Sequence, residues 1–165
     1  MTPWAVVNVE TIYTGEELVT LKARQSIGVL PRLRLDQVPE SARSNIIEKL
    51  EALENDFQRA GVESVVDRSR EAASAILSAY LQKGGDEGAK GKDLGPLVKR
   101  LSDSSSPNGN RVLACAAEIP QRLHSRAKHA EQEKRGTIHP IREQDAELAV
   151  LCVGTMLRDM GWADW

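Results

Sequence analysis

A chain of 165 residues with 41% hydrophobic and 28% charged residues is long enough for one domain with a real core, which excludes a disordered segment and two ordinary domains. A net charge of −2 excludes a global basic surface for nucleic acid, so an anion site has to be local. Only 4% of the residues are aromatic, so the core is aliphatic, which favours helix packing over a β-sandwich.

The first forty residues carry the weakest pattern. Trp4–Val9 fits a short strand or an extended arm. Thr14-Gly-Glu-Glu has the cap and acidic first turn of a helix leading into Leu18–Gln25. Gly28–Pro39 holds two prolines among Leu30, Leu33, Leu35 and Val38, and reads as an extended connector lying on apolar surface. The start lacks the basic region and apolar run of a signal peptide. The most apolar window, Ala146–Leu157, is far shorter than the roughly 20 residues of a membrane span. A cytoplasmic chain with no membrane contact is therefore expected.

The helical signal begins at Pro39 and continues to Ala60, with Ile46, Ile47, Leu50, Leu53 and Phe57 at three- and four-residue spacing and Gly61 as the stop. A second helix is predicted over Val62–Gln82, with a wide apolar stripe that includes Val65, Val66, Ala72, Ala73, Ile76 and Leu77. Gly84–Lys92 reads as a flexible loop, and Asp93 as the cap of a short helix over Leu94–Leu101. Ser102–Asn110 is composed almost wholly of turn residues, and Asn110 caps a further helix from Arg111. Pro120 predicts a kink or break in it, after which the helix resumes through His124 and His129. A loop over about 132–141 precedes a last helix, Arg142–Met160, closed by Gly161. Its middle is apolar nearly all round, as in a helix that is central or covered by a partner.

This order predicts an all-α fold: an antiparallel bundle of four to five main helices over residues 39–165. Residues 1–38 form an N-terminal arm or connector, partly extended, that could serve a protein partner. Cys115 and Cys152 fall in apolar helical runs and read as free buried thiols. Trp4, Trp162 and Trp165 either pack on the bundle or lie at a subunit contact.

All three histidines, His124, His129 and His139, fall in Gln121–Arg142, together with six Lys or Arg and only two acids. Imidazoles move protons near neutral pH, and guanidinium groups hold phosphate, so these are sufficient parts for metal-independent RNA cleavage. On a helix Arg122, Arg126 and His129 share one face, and His124 and Lys128 a neighbouring one. The competing reading is a solvated basic end that complements the helix dipole. A metal site is not expected: His124 and His129 stand about 140° apart around a helix, and no paired-cysteine or HExxH pattern is present. Asp145, in the first turn of the last helix, reads as structural. GGDEGAKGK lacks P-loop spacing, so no cofactor is expected.

The run Arg122-Leu-His-Ser-Arg-Ala-Lys-His129, then a polar loop, then Asp145-Ala-Glu-Leu-Ala-Val150 resembles the C-terminal half of HEPN domains, the "higher eukaryotes and prokaryotes nucleotide-binding" helical bundles. The resemblance covers about residues 62–162. It implies a domain of a prokaryotic defence or toxin-type system, a homodimer, and a metal-independent endoribonuclease. It places His129 as the acid–base group and Arg122 as the phosphate-holding group, with His124, Arg126 and Lys128 contacting RNA or another anion. The motif is degenerate: the commonest Arg-to-His spacing, counted back from His129, lands on His124, and the longer spacing puts apolar Leu123 after Arg122. A degenerate copy corresponds to the alternative, a non-catalytic helical dimerisation or adaptor module.

Overall fold

The computed structural model describes residues 4–23, 30–103, 110–128 and 140–164. Among them the chain is predominantly helical, with two small two-stranded sheets. The all-α expectation is corrected to that extent.

Strand β1 (Trp4–Thr11) pairs antiparallel with β2 (Glu17–Ala23), with a register irregularity between Val6 and Asn8. The segment read as a helix start is the hairpin turn. Gly15 takes φ +82°, and its N–H donates to the Ile12 carbonyl at 2.9 Å. A left-handed residue closes the turn, and β-branched Val19 and Thr20 then favour the extended chain. The predicted helix over Leu18–Gln25 is therefore wrong as far as Ala23. Val6, Val9, Leu18, Val19 and Leu21 stay exposed, so the hairpin adds little to the core.

The connector meets the expectation in part, with Leu35 left exposed. Pro31 and Val38 are buried, and Leu30 and Leu33 pack against the core. A short strand, β3 (Arg32–Leu33), pairs antiparallel with β4 (Ala163–Asp164).

Helix α1 (Glu40–Arg59) buries Ile46, Leu50 and Leu53. Gly61 does not close it in a left-handed conformation; its φ is −73° and it is the N-cap of α2 (Val62–Lys83). Asp56 ties the two helices, accepting from Ser64 Oγ at 2.6 Å and Arg68 Nε at 3.0 Å. The loop after α2 holds a 3₁₀ turn, Glu87–Ala89, with Ala89 fully buried. Helix α3 (Leu94–Ser102) follows, with Leu94, Leu97 and Leu101 in the core. Asp93 is its N-cap but makes no side-chain cap bond; its carboxylate meets Arg70 at 3.3 Å instead.

Helix α4 (Arg111–Ala127) is capped by Asn110, whose Oδ1 accepts from Val112 N at 3.0 Å and Leu113 N at 3.1 Å. Pro120 lies inside this continuous helix, so of the expected kink or break the break does not occur. Its ring is buried among Leu113, Ala116, Ala117 and Leu123 on the core face. That packing offsets the missing backbone bond. Cys115 is exposed, which corrects its assignment to the core; Cys152 is buried, and burial pushes its thiol up to about 11.

Helix α5 (Glu143–Asp159) buries Ala149, Val153, Met156 and Leu157, while Leu148 and Leu151 face outward. Gly161, at φ +69°, ends it: Gly161 N donates to Arg158 O and Trp162 N to Leu157 O, both at 2.8 Å. This is the Schellman pattern. It folds Trp162 into the core, 1% exposed, edge-on to Tyr80 with ring centroids 6.3 Å apart. Trp162 thus packs within the molecule; Trp165 lies outside the described residues.

Contacts at the helix ends set their directions. Asn110 Nδ2 donates to Asp159 at 2.8 Å, so the start of α4 lies by the end of α5. Trp162 beside Tyr80 places the end of α5 near the end of α2. Helix α4 therefore runs against both α2 and α5. Its last turn meets the first turns of those helices, and there the candidate residues gather.

Candidate functional site

The last two turns of α4 present Arg122, His124 and Arg126, with Lys128 as the C-cap residue. Positive charge is favourable there because the final carbonyls of a helix lack internal partners. Each side chain takes a different direction.

Arg122 points to solvent, with its side chain 73% exposed. Its Nε and one terminal nitrogen donate to Glu118 Oε1, at 3.0 and 2.7 Å. Such an exposed i,i+4 pair is worth about 0.3–0.5 kcal/mol, so a phosphate can replace Glu118 at little cost. Lys128 is exposed.

Arg126 points to α5. A terminal nitrogen lies 2.5 Å from Asp145 Oδ2, with both side chains partly buried. The same oxygen accepts from the backbone N–H of Arg142 at 2.9 Å, at the N-terminus of α5. Burial alone would raise the Asp145 carboxyl; the Arg142 N–H and the Arg126 guanidinium outweigh it and hold the group below its usual value. Asp145 is thus structural, as its first-turn position suggested, and it engages Arg126. An open depression of about 310 Å³ adjoins them, lined by Arg126, Pro140, Arg142 and Asp145.

His124 points to α2. Its Nδ1 contacts Asp67 Oδ1, with the imidazole 12% exposed and the carboxylate 57%. Asp67 was not among the residues picked from the sequence. It lies 57 positions from His124, and no local spacing could signal the pair. Glu118 was also missed, although its i,i+4 relation to Arg122 was legible.

The structure brings Arg122, His124, Arg126 and Lys128 to one end of the protein but does not align them on one face. His129 and His139 lie outside the described residues. Among the described residues, no group of three or more His, Cys, Asp or Glu side chains is placed to hold a metal ion. No described helix is long and apolar enough to cross a membrane. The site can hold a phosphate through Arg122 and Lys128, and it offers one oriented imidazole.

No protein-family model and no solved structure matches the chain.

Proposed function

We propose that this chain is a HEPN-like RNA-binding domain of a prokaryotic defence or toxin-type system. The observation that carries the reading is the meeting of the basic end of α4 with the start of α5. It joins the two segments on which the sequence resemblance rests. Arg122 and Lys128 supply the exposed positive charge for backbone phosphate, and Arg126 holds the frame through Asp145. In the family's catalytic form the strand is cleaved without metal, with His129 as acid–base group and Arg122 on the phosphate.

A second reading is a non-catalytic pairing or adaptor module. It is favoured by the carboxylate partners of Arg122 and Arg126, and by Val112, Leu148 and Leu151, exposed on the packed helices α4 and α5. In either reading the protein is a homodimer.

Binding to labelled single-stranded RNA, measured across a salt series in EDTA, tests the proposal. Arg122→Ala and Lys128→Ala should each weaken binding and reduce the salt slope by roughly one phosphate contact or less. Binding at the level of an unrelated acidic protein, unchanged by either substitution, would leave only the pairing module.

A further inference from the structure

The packing of His124 against Asp67 is more specific than a solvated basic helix end requires. The ring is nearly enclosed, while the carboxylate keeps open sides toward water. Asp67 therefore retains most of its hydration while it holds the imidazole, which keeps the cost of the contact low. An ionised carboxylate only accepts hydrogen bonds, so the proton shared in this contact belongs to Nδ1. In the neutral ring the lone pair is then left on Nε2. A base oriented by a carboxylate through its other nitrogen is the arrangement that activates hydroxyl nucleophiles.

The surrounding seam is polar. Arg70 stands one turn along α2 from Asp67, and Gln121 one turn back along α4 from His124. Because α2 and α4 are antiparallel, both lie on the same side of the Asp67–His124 contact. Arg70 Nε and Gln121 Oε1 are buried without a hydrogen-bond partner among the described residues. Buried polar atoms without partners are uncommon in folded proteins. Both residues stand within one helical turn of the Asp67–His124 contact along their own helices. Among the described residues Arg70 pairs with Asp93, whose side chain is 82% exposed.

We propose that His124 is the proton acceptor for RNA cleavage at this end of the protein, with Asp67 as its positioning residue. This rests on the RNA reading above. His124 Nε2 takes the proton of a ribose 2′-hydroxyl; the 2′-oxygen bonds to phosphorus, and the bond from phosphorus to the 5′-oxygen breaks. The departing 5′-oxygen takes a proton from water, and the imidazolium returns its proton to the hydroxide so formed. The products are a 2′,3′-cyclic phosphate and a 5′-hydroxyl.

Two measurements test this on the full chain. In ¹⁵N spectra, with the His124 ring assigned by its loss in His124→Gln, neutral wild-type His124 carries its proton on Nδ1. Asp67→Ala releases it to a mixture of tautomers. A wild-type ring protonated on Nε2 would overturn the dyad. In EDTA, His124→Gln should lower kcat by about 100-fold or more, the usual weight of a general base. The nearly isosteric Asp67→Asn, at an exposed carboxylate, should lower kcat with KM unchanged. Cleavage that survives His124→Gln but is lost in His129→Ala overturns the assignment and leaves the RNA reading standing. Wild-type protein that binds RNA and cuts none also overturns it, whereas protein that binds no RNA removes the reading beneath it.

Discussion

Asp145 joins two helices with one carboxylate, and its ionisation is therefore coupled to folding. Its folded pKa is depressed, so its stabilisation is complete above the unfolded value of about 3.9 and is lost as pH falls through the lower folded value. Asp145→Asn should therefore lower the urea midpoint at pH 7, and the difference from wild type should shrink below pH 4. A midpoint difference equally large at pH 2.5 would exclude ionisation of Asp145 as its source. The paired groups were unevenly legible at this scale. The acidic first turn of α5 and the Glu118–Arg122 spacing are written in local sequence. The Asp67–His124 contact depends on how two distant helices pack, and neither residue's neighbours encode it.

The helices were the readable elements because each carries a continuous 3.6-residue apolar stripe, as α1 does at Ile46, Leu50 and Leu53. The hairpin was not, because its apolar residues are exposed and mark no buried face. Its turn, Thr14-Gly-Glu-Glu, also uses residues that start helices. Pro120 does not break its helix for a related reason: a proline signals a kink or break locally, but the buried face of α4 continues on both sides of it. Helix α5 carries a further constraint at Gly154, where an added Cβ would stand 3.1 Å from Pro31 Cδ. Alanine gains about 1 kcal/mol of helix propensity there, but overpacking typically costs about 1–3 kcal/mol. Pro31 is a buried rigid ring with little freedom to withdraw, so Gly154→Ala should lower the thermal midpoint and loosen the connector. Hydrogen exchange at Leu33 and Arg34 would report the loosening; unchanged protection there would show that Pro31 yields freely.

The whole molecule divides energetically into a helical core and an appended hairpin. A two-stranded hairpin is marginal on its own, and its apolar side chains are largely exposed. Deleting residues 1–23 should leave the thermal midpoint within about 3 °C of wild type, the shift that a change of about 1 kcal/mol produces in a domain of this size. A larger fall would give the hairpin a structural role that its exposure does not suggest. Trp162 differs: replacing a buried tryptophan by alanine costs about 3–5 kcal/mol, and the loss should be plain in a denaturation curve. The short β3–β4 pairing gives this residue a further property. Arg34 N donates to Trp162 O at 2.7 Å beside that pairing, which joins segments more than a hundred residues apart. Closing so long a loop is entropically expensive until the intervening helices have packed. Trp162 is therefore a clock for the last event of folding. In stopped-flow refolding of a Trp4→Phe, Trp165→Phe chain its fluorescence should trail the far-ultraviolet signal of the helices, and destabilising the strand pair should speed unfolding while leaving the folding rate nearly unchanged.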